Sequence, residues 1–246
     1  MRRVAACWPL GALALLAAFL LAPQRFAPLF APLNPDGAPP IYNQGNLLAL
    51  ALAHLGIVCI AAVASTLVAV GLGILVTRAR GAQFLPLSRT LVNFGQTFPP
   101  VAILALAVPL VGFGEKPTLI ALFAYGLLPI FENTVAGLES CPAALLEAAS
   151  GMGMSAGQRL WSVELPLAMP LIFEGVRLSV VISVGTATIG STVAAKGLGE
   201  VIIAGLLSNN NAFVLQGGLA TGLIAILLYE AIGLVQRRVC GAVRLD

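Results

Sequence analysis

A twenty-residue stretch, EAASGMGMSAGQRLWSVELP at residues 147–166, connects two long apolar segments of this chain. It places Glu-Ala-Ala at 147–149, Gly153 after three further residues, and Val-Glu-Leu-Pro at 163–166 after nine more. The residue types and their spacing predict a pair of helices that fold back on each other between two membrane segments.

The first half of the stretch has the pattern of a helix with a sharp end. Pro142 suits the first turn of a helix, because its missing N–H would be unbonded there. Residues 143–149 are strong helix formers. Gly151 and Gly153 follow, and we expect them to end this helix or to turn the chain sharply.

The second half has the pattern of a short helix. Ser155 stands three residues before Gln158, which is the spacing of a capping box. The pattern predicts a helix through Val163. Leu165 and Pro166 follow, and we expect the helix to stop there because proline cannot extend the hydrogen-bond ladder.

The composition places the chain in a bilayer. Of its 246 residues 59% are hydrophobic and 9% are charged, and the mean hydropathy is +0.99. Soluble domains carry about 25% charged residues, so this chain could not cover a water-facing surface. The formal net charge of +3, without a basic run, gives no sign of nucleic-acid binding.

Six apolar segments approach the roughly 20 residues that a helix needs to cross the hydrocarbon. Their limits are 8–22, 47–76, 91–113, 117–138, 171–195 and 212–236. Backbone groups in lipid must be bonded internally, and the segments lack the alternation of barrel strands. We therefore predict an all-α polytopic membrane protein with six transmembrane helices. The first segment also has features of a signal peptide, and residues 23–44, with six prolines, read as an external connection.

The distribution of basic residues predicts the orientation. With the N-terminus in the cytoplasm, ten lysine or arginine residues lie on or near the cytoplasmic side and three lie outside, which satisfies the positive-inside rule. The ten are Arg2, Arg3, Arg78, Arg80, Arg89, Arg159, Arg177, Arg237, Arg238 and Arg244, and the three are Arg25, Lys116 and Lys196. Both termini and residues 147–166 are thus expected in the cytoplasm.

Residues 147–166 resemble the signature loop of ABC-importer permeases, E-A-A-x₃-G-x₉-I-x-L-P, with Val163 in place of isoleucine. The resemblance implies a type I ABC importer permease fold with a cytoplasmic coupling helix, in a bacterial cell (inner) membrane. It implies that the loop docks on ABC ATPase subunits. The residues it assigns to this coupling loop are Glu147, Ala148, Ala149, Gly153, Val163, Leu165 and Pro166.

Further stretches resemble permeases of the osmoprotectant type. They are QTFPP at 96–100, LPI at 128–130 with Asn133, Thr134 and Gly137, GTATI at 185–189, and GLG at 197–199. Glu132 departs from the pattern, since an arginine is usual in that neighbourhood. The resemblance implies import of glycine betaine, choline, carnitine or proline. It also implies an external or periplasmic substrate-binding protein and a second permease subunit, identical or paralogous. We divide the chain accordingly into residues 1–46 (first helix and proline-rich connection), 47–238 (permease core) and 239–246 (cytoplasmic tail).

Polar residues within the apolar segments leave alternatives open. For the uncharged ones we weigh packing between helices against lining a translocation pathway. The pathway candidates are Gln96, Thr97, Pro99, Asn133, Thr186 and Thr188.

Charged side chains in the segments cost free energy at the bilayer centre. Glu132, Glu230 and the Glu174/Arg177 pair are expected near the boundary, in ion pairs or interhelical hydrogen bonds or, alternatively, in gating. His54 is expected to contact another helix, and Gly218-x-x-x-Gly222 predicts close helix packing.

The motifs of several enzyme classes are missing from the chain. It contains no G-x-x-x-x-G-K-[ST], no G-x-S-x-G and no H-E-x-x-H. Cys7, Cys59, Cys141 and Cys240 form no C-x-x-C pair. We therefore predict no catalytic residue, metal site or cofactor, and ATP hydrolysis by a partner subunit. The alternatives are a related permease for methionine, phosphonate or an anion, an ATPase-independent secondary transporter, and an intramembrane enzyme.

Overall fold

Helices make up all the regular structure in the described residues, 4–34 and 37–241, of this computed structural model. The nine helices that we number are α1 Val4–Leu21, α2 Leu47–Val76, α3 Leu85–Thr97, α4 Pro100–Val111, α5 Glu115–Glu139, α6 Ala143–Gly151, α7 Ala156–Ala187, α8 Gly199–Leu207 and α9 Asn211–Cys240. The prediction of an all-α fold is confirmed.

Four of these helices, α2, α5, α7 and α9, are each long and apolar enough to cross a membrane. Two bent pairs bring the count to six if each pair makes one crossing: Trp8–Leu21 with Pro23–Leu33, bent by 107°, and Ala82–Thr97 with Pro100–Val111, bent by 95°. Two of these long helices, α2 and α9, begin at asparagine caps. Asn46 Oδ1 accepts from the Ala49 N–H, and Asn210 Oδ1 accepts from the Phe213 N–H, each at 3.0 Å.

The third apolar segment, expected at 91–113, is two helices rather than one. Phe98 is extended, as the residue before a proline prefers to be, and α4 starts anew at Pro100. The Tyr125 hydroxyl of α5 donates to the Phe98 carbonyl at the break. Each arm alone spans less than about 20 Å, so a full crossing needs both.

The proline stop predicted at Leu165 and Pro166 is wrong. The second helix of the loop runs without interruption into the fifth apolar segment, so α7 begins at Ala156 and ends at Ala187 rather than covering 171–195. A π-helical turn at Leu160–Glu164 precedes the regular stretch, and the Leu165 N–H donates to the Leu160 carbonyl. Pro166 therefore stands at the second position of the regular stretch, directly after the π-helical turn, and the helix continues through it.

The centre of the molecule is the packing of α5 against α7, with α2 against both. Glycines permit the close approach. A Cβ on Gly175 would lie 2.6 Å from the Pro129 carbonyl oxygen, and one on Gly126 would lie 2.7 Å from Ser65 Oγ. His54 of α2 is buried with Nε2 3.0 Å from the Val184 carbonyl oxygen. The expectation that His54 contacts another helix is confirmed.

The packing predicted for Gly218 and Gly222 is not found within this chain. A Cβ on either would meet nothing within 4 Å among the described residues. The neighbouring Gly217 packs instead, since its Cβ would lie 2.6 Å from an Ile202 side-chain carbon of α8. Among the described residues of this chain, the glycine of α9 that packs closely is therefore Gly217 rather than Gly218 or Gly222.

The proline-rich connection is held to the start of α9. Asn210 Nδ2 donates to the Pro39 carbonyl at 2.9 Å, and Gln216 Nε2 donates to the Pro40 carbonyl at 2.7 Å. The Tyr42 N–H donates to Gln216 Oε1 at 3.1 Å. These bonds satisfy backbone groups that lack a helical partner. The connection is therefore ordered where it meets α9.

Candidate functional site: the connecting hairpin and the polar groove

Residues 143–159, which we name the connecting hairpin, turn at Gly153. The Met154 N–H donates to the Ala149 carbonyl at 3.1 Å, and the Gly153 N–H donates to the Ser150 carbonyl at 3.0 Å. This pair of bonds is a Schellman motif, and it requires a left-handed residue at the position of Gly153. Its φ of +81° meets that requirement. The spacing from Glu-Ala-Ala to glycine is thus explained by the backbone conformation that the helix end requires at position 153.

The second arm of the connecting hairpin opens with the predicted capping box. Ser155 Oγ accepts from the Gln158 N–H at 3.3 Å, and Gln158 Oε1 accepts from the Ser155 N–H at 2.8 Å. Arg159 then donates from Nη1 to Ser150 Oγ at 2.9 Å. The two arms are therefore linked by a side-chain bond as well as by the glycine turn.

An ionic cluster at the base of the connecting hairpin was missed by the sequence analysis. The Glu164 carboxylate, whose side chain is 5% exposed, lies 2.6 Å from Arg78 Nη2 and 3.0 Å from Arg159 Nε. Arg78 follows the end of α2. We name Arg78, Arg159 and Glu164 the hairpin cluster. Glu164 occupies the x position before Leu-Pro in the signature loop, where the motif specifies no residue type. Arg78 lies outside the motif and was counted only to predict the orientation, so nothing in the sequence linked the two residues.

The seven coupling-loop residues divide into outward and inward sides. Glu147, Ala148 and Gly153 are exposed, and a Cβ on Gly153 would meet nothing within 4 Å. Ala149 is buried. The remaining three, Val163, Leu165 and Pro166, are partly buried in α7.

The tip of the connecting hairpin carries an exposed apolar side chain that the sequence analysis did not single out. Met152, next to the glycine turn, is 73% exposed. Leu165, at the other end of the motif, packs on Leu138, Ala168 and Ile172. An exposed side chain at the tip of the hairpin, Met152, is thus connected through α7 to the apolar contacts of Leu165.

A second polar region, which we name the polar groove, lies between α3, α5 and α7. It is a cleft of about 380 Å³ lined by Asn93, Gln96, Leu128, Pro129, Glu132, Leu178 and Ile182. Arg89 Nε lies 3.1 Å from Glu132 Oε1 beside it, with the side chains 45% and 38% exposed. The departure noted at Glu132 therefore places a carboxylate, paired with Arg89, on this surface.

Gln96 is the pathway candidate that lines the polar groove. Its Nε2 donates to the Tyr125 carbonyl at 3.1 Å. Pro129 has no N–H to donate to that carbonyl four residues earlier in α5, so the Gln96 amide supplies the missing bond. Thr97 and Pro99 lie beside it at the helix break and are exposed.

The other pathway candidates lie elsewhere. Asn133 turns toward the α5–α7 contact, where a Cβ on Gly175 would lie 2.9 Å from its Cβ, and its amide donates to the Pro129 carbonyl at 2.8 Å. Thr186 and Thr188 are at the opposite end of α7, and Thr188 Oγ1 donates to the Gly185 carbonyl at 2.7 Å. The structure does not bring these three to the polar groove.

The predicted ion pairs are present, and the Glu174–Arg177 pair lies in the middle of α7. Arg177 Nη1 lies 2.7 Å from Glu174 Oε1 on the same face of α7. The Arg177 guanidinium also lies 3.6 Å from the ring centroid of Tyr229 in α9. Glu230 Oε2 is 4.0 Å from Arg237 Nη2. These contacts match the ion-pair interpretation.

Comparison with known proteins gives concordant matches. Residues 69–241 match the family described as "Binding-protein-dependent transport system inner membrane component". The chain is 40% identical over 196 residues to "Osmoprotectant import permease protein OsmY" of Salmonella typhimurium, covering 80% of this chain and 83% of that protein. It is 36% identical over 200 residues to "Choline transport system permease protein OpuBB" of Bacillus subtilis, covering 81% and 91%.

A third relative is "Glycine betaine/carnitine/choline transport system permease protein OpuCB" of Bacillus subtilis, 36% identical over 197 residues and covering 80% of this chain and 90% of that protein. Among solved structures, an inward-facing MetNI methionine ABC transporter matches with a TM-score of 0.68 at 20% identity, covering 76% of this chain and 93% of that one. At this identity the structural match shows a shared fold.

Proposed function

This chain belongs to the inner-membrane components of binding-protein-dependent transport systems, the permease subunits of ABC importers, and we propose that its connecting hairpin is the surface on which the ATPase docks. Permeases of this class work with ATPase and substrate-binding partners. The observation that carries the proposal is the geometry of the Gly153 turn. A Schellman motif and a capping box define its backbone, and its outer side is free of contacts within the described chain.

The exposed tip gives the ATPase something to bind. Met152 presents a flexible apolar side chain at the turn, and Glu147 and Ala148 face outward beside it. An apolar side chain that fills a pocket on a partner contributes more binding free energy than the polar contacts around it. The other coupling-loop residues hold the hairpin on the membrane helices from its inner side. They are Ala149, Val163, Leu165 and Pro166.

The charge distribution supports a cytoplasmic location for the connecting hairpin. Ten of the thirteen basic residues are then on the cytoplasmic side, together with both termini. An ATPase that uses cellular ATP must meet the permease on that side. In this orientation residues 47–238 form the permease core, preceded by residues 1–46 and followed by a short tail, 239–246.

The polar groove is our proposal for one wall of the translocation pathway. A charged pair such as Arg89 and Glu132, more than a third exposed, is tolerated on a membrane protein where it faces water or another protein surface. Gln96, with Thr97 and Pro99 at the helix break, extends that polar surface. Broken helices at membrane depth occur where they border protein or a water-filled cavity. A second permease subunit, identical or paralogous, would supply the opposite wall.

Thr186, Thr188 and Asn133 have less support as pathway residues. Asn133 packs between α5 and α7, and the two threonines lie at the far end of α7. We keep the threonines as candidates for the outer end of the pathway, since Thr186 and Thr188 are only partly buried. Asn133 is better explained as a helix-packing residue.

The imported solute is proposed to be an osmoprotectant such as glycine betaine, choline or carnitine, with proline as a further candidate. The support is that three relatives covered over most of their length carry names for these solutes. A groove with one carboxylate, one guanidinium and an amide also suits a zwitterion or a small cation. Uptake of labelled choline and glycine betaine by vesicles containing the complete transporter tests this. Competition by methionine or a phosphonate, with none by betaine, would contradict it.

Substitutions at the turn test the docking proposal. Gly153→Val forces a β-branched residue into the left-handed region, whereas Gly153→Asn tolerates that conformation better. We expect the valine variant to lose co-purification of a tagged ATPase and solute uptake, and the asparagine variant to keep more of both. Gly56→Val is the matched control, since Gly56 also faces open space but lies on α2. Undiminished ATPase binding and uptake by Gly153→Val would refute the docking role.

A further inference from the structure

The hairpin cluster joins three separate parts of the chain at one carboxylate. Glu164 accepts a hydrogen bond from Arg159, which belongs to the connecting hairpin, and forms a 2.6 Å ion pair with Arg78, which follows α2. Arg159 also donates a hydrogen bond from Nη1 to Ser150 Oγ in α6. A path of hydrogen bonds and one ion pair therefore runs from both arms of the hairpin to the residues that directly follow α2.

The carboxylate stands where the connecting hairpin becomes a membrane helix. Glu164 is the last residue of the π-helical turn Leu160–Glu164, and the regular α7 helix continues from Leu165. π-Helical turns inside α-helices are rare and are frequent at functional sites. The joint therefore combines a deformable backbone with a side chain that is tied to α2.

Apolar and ionic contacts constrain this joint differently. Leu160, Leu165 and Ile74 of α2 pack against the same buried apolar cluster, and such contacts are non-directional. Hydrogen-bonded ion pairs require fixed distances and angles. Because Glu164 is nearly buried, separating it from its arginine partners would leave a desolvated charge without compensation. The ionic contacts therefore resist movement that the apolar contacts would permit.

Arg78 has hydrogen-bonding capacity left over. Its Nε is buried and has no hydrogen-bond partner among the described residues, while its Nη2 binds Glu164. A guanidinium can present a carboxylate with two parallel donors, and this one uses a single nitrogen. The contact can accordingly tighten without any new side chain entering.

We propose that Arg78, Arg159 and Glu164 act as positioning residues that transmit movement of the connecting hairpin to α2. This inference rests on the proposed function, since the movement is that of a docked ATPase. When the hairpin is displaced, Glu164 moves with Arg159 and draws Arg78 and the end of α2 along. Without the cluster, the hairpin follows the ATPase while α2 stays behind, and ATP is hydrolysed without a matching change in the pathway.

The test compares solute imported per ATP hydrolysed in proteoliposomes containing the complete transporter and solute-loaded binding protein. Glu164→Gln and Arg78→Gln are expected to retain assembly and ATP hydrolysis while import per ATP falls roughly tenfold, the effect of losing one charge-assisted bond. Arg78→Lys keeps the charge and should restore most of the ratio. Glu230→Gln is the matched control, because Glu230 makes a 4.0 Å contact to a largely exposed Arg237 and should leave the ratio unchanged.

A double variant separates coupling from folding. Glu164→Leu with Arg78→Met replaces the Arg78–Glu164 pair by apolar groups, a change that often preserves stability, while Arg159, 30% exposed, keeps its bond to Ser150. This variant should fold, assemble and show the same low ratio. A wild-type ratio in the double variant would overturn the proposal. So would a proportional fall of hydrolysis and import together, or loss of assembly in all the charge-removing variants.

A solute-independent measurement distinguishes failure of this inference from failure of the proposed solute. Spin labels at exposed Leu75 of α2 and Ala156 of the hairpin, in a background without other cysteines, report the separation of the two elements. In the wild-type complex that separation should keep one narrow distribution when ATP is added, and in Arg78→Gln it should shift or broaden. Equal distributions in both would refute transmission through the cluster. A wild-type complex that imports neither choline nor glycine betaine would refute the solute instead.

Discussion

The hairpin cluster and the Arg89–Glu132 pair of the polar groove use the same chemistry in opposite environments. Glu164 is 5% exposed and has two arginine partners, whereas Glu132 is 38% exposed and has one. Removing a partner from a buried carboxylate leaves an uncompensated charge. At the polar groove, water solvates the side chain that remains when Arg89 or Glu132 is removed. Burial, and not the presence of an ion pair, therefore decides which of the two ion pairs holds the structure together and which stays accessible to water.

The largest effect that would break this comparison is at Glu164. Glu164→Ala leaves Arg78 and Arg159 without their acceptor, and we expect the free energy of unfolding to fall by about 3 kcal/mol. Chemical unfolding of the purified protein in detergent, followed by tryptophan fluorescence, measures it. Glu230→Ala serves as the control because its arginine partner is largely exposed. A loss no larger than that of the control would show that burial does not matter here.

The next effect concerns the helices behind the polar groove. Gly175→Ala places a Cβ 2.6 Å from the Pro129 carbonyl oxygen and 2.9 Å from the Asn133 Cβ. We expect a loss of about 2 kcal/mol from this overpacking, measured in the same unfolding experiment. Gly222→Ala adds the same methyl group where nothing lies within 4 Å. Equal stabilities of the two variants would contradict the close α5–α7 contact.

A smaller effect is expected at the capping box of the connecting hairpin. Ser155→Ala removes the acceptor for the Gln158 N–H and should cost about 1 kcal/mol. Hydrogen exchange of the backbone at residues 156–160 localises the loss. Ser162→Ala, about two turns later on an exposed position, is the control and should leave protection unchanged. If both variants behave alike, the capping bond does not stabilise the hairpin.

The smallest effect is expected at the exposed Arg89–Glu132 pair, and it sharpens the comparison with the buried hairpin cluster. Glu132→Gln should change the free energy of unfolding by about 0.5 kcal/mol or less, since exposed ion pairs contribute little. A double-mutant cycle with Arg89→Gln gives the coupling between the two side chains, and we expect it to shrink further at high salt. A coupling as large as that of Arg78 with Glu164 would contradict the assignment of the groove to a water-facing surface.

Local chemistry made much of the connecting hairpin predictable. The glycine at position 153 and the Ser155–Gln158 capping box each depend on backbone groups a few residues away. The Glu174–Arg177 pair lies one helical turn apart. Features of this kind require only the geometry of a single helix end or helix face. These predictions were confirmed because none of them requires knowledge of which distant segments pack nearby.

Features that depend on an irregular helical turn or on distant segments were missed or wrong. Pro166 does not stop the helix, because a π-helical turn just before it shifts the start of the regular stretch. Gly218 and Gly222 face away from the helices that pack against α9. The partners of Glu164 lie 86 residues and 5 residues before it (164 − 78 and 164 − 159), and only the first of these contacts requires the fold. Sequence spacing carries no information on such a contact.

Composition and short-range pattern alone determined that this chain is helical, crosses a membrane and carries a helical hairpin, because hydropathy and helix termini are local properties. The importer type of that hairpin came from its resemblance to the signature loop of ABC-importer permeases. Tertiary structure alone decided that Gln96 would satisfy the carbonyl left open by Pro129, and that Glu164 would be buried between two arginines. The physical reason is that desolvation and hydrogen-bond completion depend on what surrounds a group in space. Those surroundings come from helices far apart along the chain.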